Sequence, residues 1–267
     1  MSCKVALIGT GVMGQAVLRS VVEHTGADQV RVHDVRTEAG RKVAQEHKVM
    51  WAETVGAAGD GAEVVIVAVK PHDVSGVLAE LGPVLTDSTV VVSIAAGVST
   101  ARMAEHLPEG TVTVRVMPNT PALIGQGVSV LSPGPHATEE HLGLVRDLMA
   151  GTGFVTSVAE NHQDVVTAIS GSGPAYVFYL IDALAEAAVL GGLGRDLALE
   201  LARRTVAGAG AMAAESADHP VVLRERVSSP GGTTMAALAE LDDRAVRAAV
   251  VAAAQRAWER AGELGQG

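Results

Sequence analysis

Cysteine is almost missing from this chain. Cys3 is the single one in 267 residues, so no internal disulfide can form and no cysteine-based metal cluster can be assembled. The nine histidines show neither HExxH nor any comparable ligand spacing, and no metal centre is expected. Basic runs are absent too. With 20 Lys and Arg against 30 Asp and Glu, the formal net charge is −10, so DNA or RNA would meet a repulsive field. Nucleic acid is therefore not an expected partner. Nowhere do about eighteen apolar residues follow one another, and the first residues run straight into a glycine-rich turn instead of a signal-peptide core. The expectation is no membrane and a cytoplasmic location.

What is present is ample apolar material, 48% of the residues, enough for a sizeable core. The length suggests about one to two domains. The strongest local signal is Gly9-Thr10-Gly11-Val12-Met13-Gly14. Residues 4–8 before it form a short apolar run that reads as a buried strand, while Val12, Ala16, Val17 and Ser20 recur at helical spacing after it. The glycines thus sit at a strand-to-helix turn. Gly9 suits the tight turn, Gly11 lets backbone approach a pyrophosphate, and Gly14 lets helix pack close to strand, with the helix N-terminus offering N–H groups to phosphates. Asp34, twenty residues after Gly14 at the end of the next predicted strand, completes a dinucleotide fingerprint.

Strands and helices alternate through the first part of the chain. Residues 29–34 and 49–52 read as strands, with a polar helix over 37–47 that Thr37 is placed to cap. Residues 63–69, EVVIVAV, and 89–94, TVVVSI, are continuous apolar runs of the kind buried on both faces, so they belong at the centre of a mostly parallel sheet. A helix over 71–81 starts at a proline suited to a first turn. Further strands are predicted at 111–117, 127–131 and 154–158, with a helix over about 137–150. Open parallel sheets bind ligands at the carboxyl ends of their strands. That makes Ala68-Val69-Lys70-Pro71 and Ile94-Ala95-Ala96 candidate cofactor walls, and Asn119, in the stiff loop Pro118-Asn119-Thr120-Pro121, a side chain that can present an amide.

From residue 160 the character changes to alanine-rich helical segments at 160–168, 174–190, 195–216, 232–240 and 243–263. The fold class is therefore α/β, an N-terminal Rossmann-type domain over 1–159 followed by an all-helical domain over 160–267. Leu197, Leu201, Thr205, Gly208 and Met212 form a stripe at helical spacing, read as core. Only 2% of the residues are aromatic. Helices rich in Ala and Gly bury little area each, so this domain gains most by packing against a second subunit. Two of its loops combine hydroxyls, glycines and a helix start: Ser170-Gly171-Ser172-Gly173-Pro174, and Val227-Ser228-Ser229-Pro230-Gly231-Gly232-Thr233-Thr234. Capping is the ordinary role for Ser172 and Thr233. In the second loop, Gly231-Gly232 before paired threonines lets several N–H groups converge on one anion, and a small carboxylate suits that arrangement.

IGTGVMG, AVKPHD, VSIAAGV, VMPNTPALIGQG, AISGSGPAYVF and VSSPGGTT, in this order, make the chain resemble pyrroline-5-carboxylate reductase from about residue 4 to residue 262. The resemblance implies reduction of the cyclic imine 1-pyrroline-5-carboxylate to L-proline by NAD(P)H, a helical domain that forms an interlocked dimer, and commonly a ring of dimers. It also implies that Gly231, Gly232, Thr233 and Thr234 bind the substrate carboxylate, with Val227 and Ser229 in the same loop. On this reading the Thr234 hydroxyl bonds the ring nitrogen. NADPH is expected because the family usually prefers it. The residues around the second strand point both ways, since Asp34 favours a free ribose 2′-hydroxyl and Arg36 a 2′-phosphate, and NADH use stays open. His33 reads as a surface residue. Two alternatives stand beside this. β-Hydroxyacid dehydrogenases share the domain order but use a lysine in the second domain, whereas the last lysine here is Lys70. A non-catalytic NADP-binding sensor of the same fold is the other.

Overall fold

The structure, a computed structural model, describes residues 3–265. Its central strands are unbroken apolar runs because both faces of the sheet are covered. β1 (Val5–Ile8) sends Val5 and Leu7 to one layer and Ala6 and Ile8 to the other, and all four are buried. The first layer is closed by α1 (Val12–Thr25), α2 (Thr37–His47) and α6 (Glu139–Met149), which contribute Val17, Leu18, Val21, Val43, Leu142 and Leu148. The second is closed by α3 (Val55–Gly59), α4 (Val74–Leu81) and α5 (Thr100–Ala104), through Val55, Ala58, Val74, Leu78, Leu81 and Met103.

The remaining strands are β2 (Val30–His33), β3 (Met50–Trp51), β4 (Val64–Val67), β5 (Val90–Ser93), β6 (Val112–Met117), β7 (Gly127–Pro133) and β8 (Gly153–Ser157). They lie in the order β3-β2-β1-β4-β5-β6-β7-β8, with neighbours parallel except β6 and β7. Ile8 stands opposite both His33 and Val67, so the carboxyl ends of β1, β2 and β4 finish level with one another. The chain reverses strand order between β1 and β4, where a doubly wound sheet opens a crevice.

α3 and α5 are not among the predicted helices. Each has five residues, too few for a periodicity, and is held at its start by a side-chain cap: Thr54 accepts the Ala57 N–H and Ser99 the Arg102 N–H, both at 3.1 Å. Thr37 does not cap α2, contrary to expectation. It is the first helical residue, and Arg36, at the cap position, makes no side-chain cap bond and gives its own N–H to Asp34 at 2.9 Å.

By compactness the chain forms two units, one running through Ser172 and resuming at Ala257, the other Gly173–Arg256. Hydrogen bonds explain why residues 160–172 stay with the sheet. Glu160 accepts the Thr100 N–H at 2.8 Å and lies 3.5 Å from the guanidinium of buried Arg115. In α7 (Gln163–Val166), buried Gln163 donates to the Val130 carbonyl and to Ser132 Oγ. The second unit holds α8 (Gly173–Leu190), α9 (Arg195–Glu215), α10 (Pro220–Arg226), α11 (Thr233–Asp243) and the first part of α12 (Val246–Gly265). α10 was not expected. It begins with Pro220 at N1, and His219 Nδ1 accepts the Val221 N–H at 3.2 Å.

The core of this second unit is small. Ala185, Ala198 and Ala202 form it, whereas the stripe read as core is open: Leu197 is 53% exposed, Leu201 48% and Met212 61%. That expectation is corrected. Periodic apolar residues report burial against something, and among the described residues nothing covers this face. The run Glu160–Leu190 is also long and apolar enough to cross a membrane by length and composition, and 6% of the eighteen residues that meet that test are buried.

Candidate active site

The level ends of β1, β2 and β4, with that of β5, frame a groove of about 1060 Å³ in the first unit. Its floor is the turn from β1 into α1. Gly9 has φ +100°, and a Cβ there would stand 2.6 Å from the Ala68 carbonyl oxygen, so only glycine fits. A Cβ on Gly14 would collide with the Gly9 carbonyl oxygen, which is why α1 can start so close to β1. At Gly11 a Cβ would meet nothing within 4 Å. Gly11 caps α1 without a side-chain bond, and the first-turn N–H groups have no intrahelical acceptor. Gly11, Val12, Met13 and Gly14 thus offer bare donors and the positive end of a helix to the groove.

The walls come from the segments the sequence proposed. Ala68, Val69, Lys70 and Pro71 follow β4, while Ile94, Ala95 and Ala96 follow β5; all line the groove with Gly9, Asp34 and Arg36. Two predicted residues do not. Thr10 is 2% exposed, with both its N–H and its hydroxyl given to Asp34 Oδ2, at 2.7 and 2.8 Å. Asn119 is buried and both ends of its carboxamide have partners in the fold: Oδ1 accepts the Val128 N–H at 2.8 Å, and Nδ2 donates 2.9 Å to the Ser170 carbonyl. Ser170 belongs to a π-helical turn, Thr167–Gly171, whose irregular bonding frees a carbonyl for Asn119. The loop Pro118–Pro121 fastens the sheet to this turn through Asn119.

Asp34 is the most perturbed acid of the groove. Burial pushes its pKa up, but hydrogen bonds from Thr10 and Arg36 outweigh that and hold it down at about 2. Oδ2 takes both Thr10 donors; Oδ1 takes the Arg36 N–H at 2.9 Å and its Nε at 3.3 Å. His33 is half-buried and not a plain surface residue: its Nδ1 lies 3.0 Å from the Ala52 carbonyl, and its ring stacks on Trp51 at 5.6 Å.

The second unit carries the hydroxyl-rich loop. Gly232, not Thr233, caps α11, and no side-chain cap bond is made. The Gly232 N–H is spent on the Ser229 carbonyl at 3.0 Å. The N–H groups of Thr233 and Thr234 lie in the first turn, where no intrahelical acceptor exists. Thr234 is half-buried; Ser229, Gly231 and Thr233 are exposed, as is Val227 where α10 ends. An anion site can therefore be assembled from Thr233 and Thr234.

Residues 160–264 match the pyrroline-5-carboxylate reductase dimerisation family, and residues 4–97 the family of coenzyme F420-dependent NADP oxidoreductases. Pyrroline-5-carboxylate reductase of Methanosarcina acetivorans is 38% identical and that of Corynebacterium melassecola 40%, each alignment covering 98% of both chains. The chain belongs to the pyrroline-5-carboxylate reductase family. A solved structure of such a reductase from Coxiella burnetii superposes with a TM-score of 0.94 at 32% identity, covering 99% of both chains. The Plasmodium falciparum pyrroline carboxylate reductase with NADP bound gives 0.86 at 26%, covering 98% of both.

For a member of this family the groove fits a dinucleotide on its own chemistry. It combines an open approach at Gly11, unpaired helix N–H groups and the exposed side chain of Arg36. Sequence reasoning missed ten of the lining residues, among them His33, Val55, His72, Asp73, Val77 and Thr120. Val55 and Val77 sit in α3 and α4, and only the packing of these helices beneath the strand ends brings them to the groove. His72 was legible, since it follows Lys70-Pro71 at the end of β4.

Proposed function

We propose that this chain reduces 1-pyrroline-5-carboxylate to L-proline, the last step of proline biosynthesis, with NADPH as the preferred donor. The observation that carries this reading is the full-length relationship to named reductases at 38–40% identity, together with a glycine-capped α11 that leaves the Thr233 and Thr234 N–H groups bare. The division of labour follows: residues 1–159 bind the dinucleotide, and 160–267 bind substrate and pair subunits.

The chemistry that a bound dinucleotide would supply is the hydride for the imine carbon. Everything else falls to this chain. First-turn N–H groups of α1 would hold the pyrophosphate, and Ala68–Pro71 and Ile94–Ala96 would flank the rest of the cofactor. The Thr233 and Thr234 N–H groups hold the substrate carboxylate, which orients the ring. The Thr234 hydroxyl bonds the ring nitrogen, whose protonated form makes the carbon electrophilic. No nucleophile is required. The enzyme works as a homodimer or a ring of dimers in the cytoplasm, using the exposed faces of α8 and α9 to pair subunits.

Adding the imine to the full-length protein with NADPH, and separately with NADH, tests this. Loss of 340 nm absorbance with formation of proline is the expected result, faster with NADPH. Tight NADPH binding with no oxidation would instead make the protein a sensor.

A further inference from the structure

An acid at the end of the second strand of a Rossmann-type sheet ordinarily accepts the ribose 2′-hydroxyl and so favours the unphosphorylated dinucleotide. Asp34 stands at that place, two residues before Arg36. We propose that Asp34 is a positioning residue that clasps Thr10 to Arg36 and does not touch the ribose, and that Arg36 alone reads the 2′ substituent. The inference rests on the groove being the dinucleotide site.

The geometry carries it. A carboxylate has about four lone-pair positions, and those of Asp34 are occupied by Thr10 N, Thr10 Oγ1, Arg36 N and Arg36 Nε, at 2.7, 2.8, 2.9 and 3.3 Å. To serve a ribose hydroxyl the acid would have to release one of them, and a released Thr10 donor would be stranded in a residue only 2% exposed. Exposure separates the pair as well: the Asp34 side chain is 5% exposed and that of Arg36 65%. The acid lies behind and the cation in front. Its Nε edge faces Asp34, with Nη2 3.5 Å from Oδ2, and this side-on grip aims Nη1 away from the acid, where a phosphate can meet it. An acid in this position therefore does not argue for NADH.

Binding, measured apart from turnover, decides the matter. Dissociation constants for NADP⁺ and NAD⁺, which differ only by the 2′-phosphate, would be measured by calorimetry for wild type, Asp34→Asn, Arg36→Ser and the double variant. Wild type should prefer NADP⁺ by about tenfold or more, and Arg36→Ser should bring the two within about twofold. Asp34→Asn should leave NAD⁺ affinity within about twofold but lower the NADP⁺ preference about threefold or more, and only while Arg36 is present. A roughly tenfold loss of NAD⁺ affinity in Asp34→Asn, or a gain in NADP⁺ affinity in both backgrounds, would make the acid a ribose ligand and overturn the proposal. Should Asp34→Asn fail to fold, wild type titrated with the 2′-deoxyadenosine analogue of NAD⁺ serves: affinity within about twofold of NAD⁺ supports the proposal, and a roughly tenfold loss, the mark of a hydroxyl that had a buried acceptor, overturns it. If wild type binds neither dinucleotide, the groove itself is misassigned and the proposal falls with it.

Discussion

Thr234 sits half-buried in the first turn of α11, its N–H among the donors that have no acceptor within the helix. Thr234→Val keeps the shape of the side chain and the backbone donors and removes only the hydroxyl. With the ring nitrogen left unpaired, kcat/KM should fall by about ten- to a hundredfold, with NADPH affinity nearly unchanged. Thr233→Val should cost less, because its side chain is exposed and its contribution is a backbone N–H that the substitution retains. Steady-state kinetics with the imine read the ordering; an unimpaired Thr234→Val would pass the role to Ser229. At this scale sequence reasoning was strong on residue type and weak on partners. Asp34 was visible as an acid at the right distance, but a chain of letters does not reveal that Thr10 and Arg36 fill its lone pairs. The same holds for Asn119, whose partners Val128 and Ser170 lie 9 and 51 residues away.

The turn from β1 into α1 allows two glycines to be separated by what surrounds them. Gly14→Ala drives a Cβ into the Gly9 carbonyl, a backbone atom that cannot swing aside, so the turn must open at a cost of about 1–3 kcal/mol. Gly11→Ala meets no atom within 4 Å and should hardly change the melting temperature, but its methyl projects into the groove where the pyrophosphate approaches. Thermal unfolding and NADP⁺ titration of both variants should show stability lost in Gly14→Ala and binding lost in Gly11→Ala. Equal effects on both readouts would contradict this geometry. Longer elements were the legible ones. The helix predicted over 37–47 is α2 to the residue, and every predicted strand is present, since apolar runs with turn signals at their ends leave little choice. α3, α5 and α10 escaped because five to seven residues give no readable period.

Across the whole molecule, the apolar surface is concentrated in the helical unit. Phe178 is 62% exposed, Tyr179 81% and Leu190 90%, beside Leu197, Leu201 and Met212 on α9. Burying a half-exposed leucine is worth about 1 kcal/mol, so several together reward a second copy. Light scattering after size exclusion should find a dimer or larger at micromolar concentration. Leu197→Asp with Leu201→Asp should shift it towards monomer while NADP⁺ binding, proposed for the groove of the other unit, persists. A stable and active wild-type monomer would count against this.

The sequence by itself determined the α/β class, the glycine turn, the strand ends that wall the groove, and the family, because each depends on local spacing and residue type. Only the tertiary structure decided which apolar stripe is core. Ala198 and Ala202 are buried while Leu197 and Leu201 are open, because hydrophobic periodicity says that a face will be covered and not whether the same chain covers it. It also decided what the polar residues do. A carboxylate or an amide joins a ligand or the scaffold according to which donors and acceptors folding brings within about 3 Å of it, and for Asp34 and Asn119 those donors and acceptors come from the chain itself.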